Sequence, residues 1–486
     1  MSKHTGWQAA SGTLRLSGAP HVAPHVDPAA MGVYHCRGTP QNVDKAPEEA
    51  RPALVKELQD TRRTVVKEHA VLVEVICDAD GDETHRNRLD ELWRLADTAG
   101  ARVVGTVTQR RRRIHPSTYI GHGKVEDLRS VCRANKADVV IFDNDLSPAQ
   151  VRNLEKGTQV KTIDRSELIL DIFATRARTR EARLQVELAQ LEYTYPRLTR
   201  MWGHLSRMEG AIGTRGPGET QLETDRRLVR KRIRDLRRRL GAIDARKERE
   251  VAARRDQLTV GLVGYTNAGK STLLNALTGA EAYVEDKLFA TLDTRTRAWD
   301  LPFGLTALVS DTVGFIRDLP HHLIASFKAT LEEAVHADLL LHVVDASTGH
   351  VEADLEAVGR VLADIGCAEK PQLVVLNKTD RVPNEAHLDL ARHKTPGAVA
   401  TSAARGEGIE DLADAVVERL VGPAREVSLR FDPADGRLLA WLERHAVILD
   451  RATENGALVQ TVRLPERLIR EIDRVAETSP LVTDGP

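Results

Sequence analysis

The stretch Gly264-Tyr-Thr-Asn-Ala-Gly-Lys-Ser271 decides the fold of this chain of 486 residues. It follows an apolar run at 258–263, which is typical of a buried strand, and it precedes a helical pattern at 272–277. A strand, a glycine loop and a helix are the context that a phosphate-binding loop requires. In such a loop, backbone N–H groups converge on phosphate oxygens, and the helix N-terminus adds partial positive charge. The stretch therefore predicts a nucleotide-binding α/β domain.

Several residues of this loop are candidate nucleotide contacts. Gly264 and Gly269 let the backbone come close to the phosphates, because glycine has no Cβ. Lys270 can reach the β- and γ-phosphates, and Ser271 can ligate Mg²⁺. Thr272, the next residue, is included in the predicted nucleotide site.

Two later stretches follow in the order that a GTPase needs. Asp311-Thr-Val-Gly314 ends an apolar strand pattern, so that Asp311 can hold Mg²⁺ through water and the Gly314 N–H can bond the γ-phosphate. Before it lies a polar segment suited to a switch loop, in which Thr291 is the first candidate to close over the γ-phosphate and Mg²⁺, and Thr294 the second. The candidate catalytic residues are Lys270, Thr291 and Gly314, and the candidate metal ligands are Ser271, Thr291 and Asp311.

Asn377-Lys-Thr-Asp380 ends another strand pattern and predicts recognition of guanine. The Asp380 carboxylate can accept hydrogen bonds from the N1–H and the 2-amino group of guanine. Adenine lacks these donors, and the unpaired carboxylate would cost about 1–3 kcal/mol. Lys378 can pack along the base plane, and the backbone at Ser402 and Ala403 can meet the guanine oxygen. GTP and GDP are therefore the predicted ligands.

Phe315 and Asn267 bear on the rate of hydrolysis. Phe315 stands after Gly314, where Ras-type GTPases place a glutamine that orients water, so slow intrinsic hydrolysis is expected. A partner is expected to complete the site. In several GTPases with an asparagine at the place of Asn267, a bound K⁺ supplies the charge of an arginine finger; a role in bracing the loop is the alternative.

Length and composition bound the rest of the chain. About three domains are expected from 486 residues, and the net charge of −1 gives no global attraction for nucleic acid. The four cysteines form no CxxC pair, which fits a reducing cytoplasm. No apolar run reaches the roughly 18 residues of a membrane span. A cytoplasmic monomer without membrane contact is the expectation.

The fold class predicted for the chain is α/β. The predicted segments are a disordered N-terminal extension (1–67), an N-terminal α/β domain (68–175), a basic helical hairpin with a glycine-rich loop (176–256), a GTPase domain (257–422) and a small C-terminal α+β domain (423–486). In the N-terminal domain, strands are predicted at 70–77, 102–107 and 138–142, and helices at 83–99, 124–134 and 147–156, which implies a parallel sheet. The C-terminal pattern reads β-α-β-β-α.

The hairpin carries the strongest local charge. Apolar residues recur at spacings of four and three in 184–195 and in 229–243, which predicts two helices paired antiparallel across a long loop at 203–218. Residues 226–255 contain 14 Lys plus Arg against 4 Asp plus Glu. The predicted polyanion-binding face consists of Arg226, Arg227, Arg230, Lys231, Arg234, Arg237 and Arg238. Such contacts would go largely to phosphates and weaken with salt; a solvated surface is the alternative.

Two shorter features leave alternatives open. The run Gln109–Arg113 is basic, and it is either solvated surface or an RNA contact. The glycine turn Tyr119–Lys124 opens a helix, and it is either a plain strand-to-helix turn or a phosphate site.

These residues together resemble the HflX family of ribosome-associated GTPases, over roughly 68–480. The most specific string is Gly213-Thr-Arg-Gly-Pro-Gly-Glu-Thr-Gln-Leu-Glu223. The phosphate loop and Asp311-Thr-Val-Gly-Phe315 also carry the resemblance. The resemblance implies binding to the large (50S) ribosomal subunit and its rRNA, with the hairpin and glycine loop near the peptidyl-transferase region. It also implies GTP-dependent separation of stalled or stressed ribosomes, and hydrolysis stimulated by ribosomal particles.

Three hypotheses follow for the function. The leading one is a GTPase switch that binds the 50S subunit and dissociates ribosomes. The second is an RNA-binding or RNA-remodelling protein that acts through its N-terminal domain, with GTP as regulator. The third is a GTPase that regulates a protein partner. A basic helix beside a glycine loop favours the first two.

Overall fold

The structure is a computed structural model, and it describes residues 68–77, 82–198, 217–252, 257–279, 288–289, 295–317, 333–476 and 481–484. The predicted extension 1–67 lies outside the described residues, and so do Thr291, Thr294 and the segment 199–216 of the glycine-rich loop. The predicted α/β fold class is confirmed by the sheets and helices of the described residues.

The first domain alternates strands with helices. Its elements are β1 (His69–Cys77), α1 (Asp82–Ala99), β2 (Arg102–Arg111), α2 (His122–Ala134), β3 (Val139–Phe142), α3 (Pro148–Thr158), β4 (Lys161–Asp164) and α4 (Arg165–Arg176). The sheet is parallel throughout, with the order β2-β1-β3-β4. Along β1, Val71 and Val73 pack into one apolar cluster while Ala70 and Leu72 pack into another. Both faces of the sheet are therefore covered, as a parallel sheet requires.

The predicted elements of this domain are confirmed, with two differences. β2 runs on to Arg111, so the basic run at 109–113 begins inside the edge strand. β4 and α4 were not predicted. β4 has only four residues, and α4 buries apolar side chains around most of its circumference, so it lacks the one-sided stripe that marks a surface helix.

The helical hairpin consists of α5 (Arg180–Thr194) and α6 (Pro217–Ala252). The two helices pack through an apolar seam, which confirms their predicted pairing. Its buried residues are Leu184, Leu188, Leu191, Leu198, Val229, Leu236 and Leu240. Pro217 and Gly218 were expected in the loop; they begin α6 instead, because proline is well suited to the first turn of a helix.

The nucleotide domain is built on a six-stranded sheet. Its elements are β5 (Leu258–Gly264), α7 (Lys270–Thr278), β6 (Arg295–Leu301), β7 (Leu305–Asp311), β8 (Leu339–Asp345), α8 (Val351–Asp364), β9 (Gln372–Asn377), α9 (Glu385–Lys394), β10 (Val399–Ala400) and α10 (Ile409–Val421). The order is β10-β9-β8-β5-β7-β6, and β6 alone among these strands runs antiparallel to its neighbour. The carboxyl ends of β5, β7, β8 and β9 share one edge, where ligands bind in such sheets.

The C-terminal domain is a small antiparallel sheet with helices. Its elements are β11 (Ala424–Phe431), α11 (Gly436–His445), β12 (Val447–Glu454), β13 (Ala457–Pro465), α12 (Glu466–Ile469), α13 (Ile472–Val475) and β14 (Leu481–Asp484). The β-α-β-β-α order is confirmed, although the last helix is split in two and β14 was not predicted. The domain contacts the β6–β7 turn, where the ring of His445 lies 2.8 Å from the carbonyl oxygen of Phe303.

Candidate nucleotide site

The phosphate loop between β5 and α7 requires glycine at two positions. Gly264 has φ +152°, and a Cβ there would lie 2.2 Å from the carbonyl oxygen of Val343 on β8. Gly269 has φ +94°, and a Cβ there would lie 2.3 Å from the amide nitrogen of Asn377. The loop thus packs directly on the ends of β8 and β9, which holds its backbone in place beneath α7.

Lys270 is a buried cation at the start of α7. Its ammonium group donates hydrogen bonds to the carbonyl oxygens of Gly264 at 3.0 Å and of Tyr265 at 2.9 Å. Burial lowers the pKa of Lys270 to about 8; nearby Asp311 opposes this shift, and Lys378 adds to it. A buried ammonium group and a helix N-terminus at one place make the site complementary to an anion.

Ser271 and Asp311 form a pair suited to a hard cation. The Ser271 hydroxyl donates to Oδ2 of Asp311 at 2.6 Å. Asp311 is fully buried at the end of β7, and Ser271 lies in the first turn of α7. Hydroxyl and carboxylate oxygens are the ligands that Mg²⁺ prefers, so the two predicted metal ligands present here fit that ion.

The backbone of Gly314 and Phe315 runs alongside the phosphate loop. The Phe315 amide donates to the Gly264 carbonyl at 3.1 Å, and the Phe315 carbonyl accepts from the Thr266 amide at 2.6 Å. A Cβ on Gly314 would lie 2.8 Å from Cα of Thr266, so this close approach depends on glycine. The Phe315 side chain is 2% exposed and packs in an apolar cluster formed by β5, β8 and α8. It points into the core and not toward the phosphates.

Asn377 joins the phosphate loop to the segment 401–403. Its side-chain amide donates to the Ala268 carbonyl at 2.9 Å. Its Oδ1 accepts from the Ala403 amide at 3.1 Å and from the Thr401 hydroxyl at 3.3 Å. Asn377 is 1% exposed, so its side chain braces these two segments from below.

Asp380, Lys378, Ser402 and Ala403 lie together at the same edge. The Ser402 hydroxyl donates to Asp380 at 2.7 Å, and this hydrogen bond lowers the pKa of Asp380. The carboxylate is therefore held in its charged form with one acceptor oxygen already oriented. Lys378 has a left-handed backbone (φ 63°), and its ammonium group lies 2.8 Å from the Asp345 carboxylate.

Two further predicted nucleotide contacts, Asn267 and Thr272, lie in the phosphate loop and the first turn of α7. Asn267 has a left-handed backbone with φ 63° and is partly exposed in the loop. Thr272 is partly buried in the first turn of α7. Thr291 lies outside the described residues. Asp345 was missed by sequence reasoning, although its place at the carboxyl end of β8, on the ligand-binding edge, could have indicated it.

Polar side chains of the first domain also reach the nucleotide site, and sequence reasoning missed them. The hydroxyl of Tyr265 donates to the Glu91 carboxylate on α1 and accepts from the Arg317 amide at 3.0 Å. Arg165 at the start of α4 donates to Glu91, to Asp143 at 2.7 Å and to the Arg317 carbonyl at 3.0 Å. Arg165 is 5% exposed, and its carboxylate partners raise its pKa above the ordinary value despite burial.

Apolar residues strengthen this junction. Leu288, Phe289, Val313 and Ile316 all belong to the core cluster of the first domain. The ring of Phe289 meets that of Phe173 on α4 edge to face, with centroids 4.6 Å apart. The segments on either side of Gly314 and just before Thr291 are thus packed into the first domain.

The predicted basic face of α6 is narrower than the sequence suggests. Arg237 is paired with Glu192 at 2.7 Å, and Arg230 donates to the Tyr195 hydroxyl. Arg227, Lys231 and Arg234 are exposed, and no carboxylate of the described residues is paired with them. These three residues form what we call the exposed cationic stripe of α6.

Comparison with known proteins agrees with the geometry along the whole described chain. Family models match in sequence order: "GTP-binding GTPase N-terminal" at 86–174, "GTP-binding GTPase Middle Region" at 176–254, "50S ribosome-binding GTPase" at 259–378 and "HflX C-terminal domain" at 388–483. GTPase HflX of Escherichia coli strain K12 is 44% identical over 421 residues, which are 86% of this chain and 97% of the relative. The chain belongs to the HflX family of GTPases.

A second HflX relative gives the same result. GTPase HflX of Caldanaerobacter subterraneus subsp. tengcongensis is 45% identical over 83% of this chain and 93% of its own length. A solved structure, described as "crystal structure of SsGBP and GDP complex", is 25% identical and covers 73% of this chain and 98% of its own, with a TM-score of 0.43. Membership in the HflX family confirms the predicted GTP hydrolase and the predicted guanine nucleotide ligands. Among the described residues, no helix is long and apolar enough to cross a membrane.

Proposed function

We propose that this GTPase binds the large (50S) ribosomal subunit through its helical hairpin and separates stalled or stressed ribosomes in a GTP-dependent way. The observation that carries the proposal is the exposed cationic stripe of α6. Three exposed cations on one helix face, with no carboxylate partner among the residues that the structure describes, suit a polyanion such as rRNA, whose phosphates they can contact. The name of the family model matched at 259–378, "50S ribosome-binding GTPase", supports the choice of partner.

The nucleotide site supports a switch controlled by that partner. The Gly314 N–H would bond the γ-phosphate, and GTP would order the segments around Gly314 and Thr291. Phe315 is buried, so its side chain cannot orient the attacking water. A group from the ribosome would complete the site, and intrinsic hydrolysis would be slow.

Metal ions complete the proposed site. Ser271 would ligate Mg²⁺, and Asp311 would hold it through water, together with Thr291. The ion would neutralise charge on the β- and γ-phosphates. Asn267, whose partly exposed side chain extends from the loop, would hold K⁺. Replacing K⁺ by Na⁺ in a hydrolysis assay tests the second ion, since an unchanged rate would remove it from the account.

Co-sedimentation with purified ribosomal subunits tests the partner. The protein should pellet with 50S subunits in the presence of a non-hydrolysable GTP analogue, less so with GDP, and the pelleted fraction should fall as salt is raised. Equal pelleting in both nucleotide states, or none, would count against the switch. Sucrose-gradient analysis of intact ribosomes then asks whether binding separates the subunits.

A charge-reversal variant tests the surface. Arg227→Glu, Lys231→Glu and Arg234→Glu together should abolish pelleting and leave GDP affinity unchanged. The matched control reverses three exposed cations of the nucleotide domain, Arg360, Arg392 and Lys394, and should still pellet. If the second set abolishes binding and the first does not, the hairpin is not the contact. RNA binding by the full chain that survives reversal of the hairpin cations would favour the alternative, RNA remodelling by the first domain.

A further inference from the structure

We propose that Arg165 and Glu91 of the first domain are positioning residues for GTP hydrolysis. They would hold the backbone of Arg317, three residues after Gly314, so that the Gly314 N–H is oriented before the γ-phosphate arrives. The inference rests on the proposed contact between Gly314 and the γ-phosphate. It adds a role for the first domain that goes beyond ribosome binding.

The backbone of Arg317 is held by hydrogen bonds on both of its polar groups. Its N–H donates to the Tyr265 hydroxyl, and its carbonyl accepts from Arg165, both at 3.0 Å. Its side chain lies 3.3 Å from Asp354 on α8. The backbone of Arg317, whose N–H and carbonyl are both bonded to partly or fully buried side chains, has little freedom, and it lies three residues after Gly314.

The side chains that bond to the Arg317 backbone are themselves held in place. Glu91 accepts from both Tyr265 and Arg165, which joins the phosphate loop to the first domain. Arg165 is anchored a second time by Asp143. Glu91 is 8% exposed and Asp143 is likewise 8% exposed. Buried ion pairs of this kind are rigid, because any movement would leave a charge unpaired.

Apolar contacts with the first domain also restrain the residues on either side of Gly314. Val313 and Ile316 flank Gly314 and are buried in the core of the first domain, with Phe289 against Phe173. The backbone around Gly314 is therefore restrained on both sides by a domain that supplies no side chain to the predicted phosphate contacts. This is the arrangement expected of preorganisation, in which a donor is oriented before the charge it stabilises develops.

Preorganisation has a selective consequence. Without these bonds, the segment around Gly314 must be ordered when the γ-phosphate binds, and that entropy opposes binding of GTP and the transition state. GDP has no γ-phosphate and does not depend on this order. Loss of the network should therefore weaken GTP-analogue binding and slow hydrolysis, while GDP affinity stays the same.

The test uses the full chain with Tyr265→Phe, which removes both hydrogen bonds of the hydroxyl and keeps the ring. We expect the ratio of GTP-analogue to GDP affinity to fall by about ten-fold, and kcat to fall by about the same factor, as for one hydrogen bond to a charged group. Tyr193→Phe is the matched control, because its hydroxyl, on α5 of the hairpin, likewise donates to a buried carboxylate, that of Asp164 at the end of β4, at 2.6 Å. It should leave both quantities unchanged.

Glu91→Ala tests the network from the other domain. It should lower the ratio of GTP-analogue to GDP affinity as much as Tyr265→Phe does. The double variant Glu91→Ala, Tyr265→Phe should lower this ratio no further than either single variant, because the bonds act as a unit. If Tyr265→Phe lowers the GTP-analogue and GDP affinities by the same factor, the network has a merely structural role and the proposal is overturned. The same conclusion follows if Tyr193→Phe lowers the affinity ratio as much as Tyr265→Phe does. An unchanged or increased kcat in Tyr265→Phe would also overturn the proposal. Failure of the wild-type protein to prefer any guanine nucleotide would instead contradict the proposed site itself.

Discussion

The carbonyl oxygen of Phe315 lies 2.6 Å from the amide nitrogen of Thr266, so the segment after Gly314 is hydrogen-bonded to the phosphate loop itself. The bond fixes the direction of the Phe315 side chain, which enters the core between β5, β8 and α8. The buried Phe315 side chain is therefore not available to orient the attacking water in hydrolysis.

Phe315→Gln should consequently fail to accelerate intrinsic hydrolysis. A glutamine here would bury an amide in an apolar cluster and lower the free energy of unfolding by about 3 kcal/mol. Single-turnover hydrolysis without ribosomes should stay within about two-fold of the wild type, since an unreachable group contributes nothing to the barrier. A ten-fold faster rate in the variant would show that this side chain does reach the water.

Asp380 should discriminate guanine by its exocyclic amino group. The Ser402 hydroxyl donates to Oδ1 of Asp380 and so restrains the carboxylate that would accept from the base. Asp380→Ala should weaken GDP binding by about a hundred-fold, near 3 kcal/mol. Inosine diphosphate lacks the 2-amino group, so the wild type should prefer GDP to it and the variant should not. Calorimetric titration of both ligands measures this, and a preference that survives in Asp380→Ala would contradict the assignment.

The lowered pKa of Lys270 makes nucleotide affinity sensitive to pH. With a pKa of about 8 in the free protein, Lys270 loses its proton as the pH rises through that value. Bound phosphate favours the charged form and raises the pKa, so binding above pH 8 must take up a proton and becomes weaker. GDP affinity should fall about three-fold between pH 7.5 and 8.5, as single-site linkage requires.

The control for this pH dependence is Lys270→Met, which binds weakly but has no ammonium group to titrate. Its affinity should change less over the same interval, and the difference between the two proteins isolates Lys270. Parallel pH profiles would assign the titration to another group.

Gly264 should be more sensitive to substitution than a glycine with free space around it. In Gly264→Ala the new Cβ meets the Val343 backbone at a φ of +152°, and backbone cannot move aside as a side chain could. We expect a loss of at least about 3 kcal/mol in the free energy of unfolding. Gly359→Ala in α8 has no atom within 4 Å of its Cβ and should be neutral or stabilising by up to about 1 kcal/mol. Thermal or denaturant unfolding of the pair decides the point, and equal stabilities would contradict it.

The sequence was informative wherever function requires adjacent residues. The loop at 264–271 and the motif at 377–380 are contiguous, so their chemistry can be read from the order of residues. The junction between domains could not be read in this way. Arg165 and its acceptor at Arg317 are separated by 152 residues, and each looks like an ordinary surface charge in its own segment.

The same limitation affected the hairpin. Arg237 and Glu192 are 45 residues apart, so the sequence overestimated the cationic face by counting a paired arginine as available. α4 was missed because its apolar residues face several directions. These features depend on tertiary packing, which a local pattern does not encode.

The most direct test of the central claim is the rate of GTP hydrolysis with and without purified 50S subunits. We expect slow hydrolysis by the protein alone and at least about ten-fold stimulation by 50S subunits, because a partner must complete the site. The stimulation should be lost in Arg227→Glu, Lys231→Glu, Arg234→Glu and retained in the control set on the nucleotide domain. A rate that 50S subunits leave unchanged, or stimulation that survives reversal of the stripe, would contradict the account.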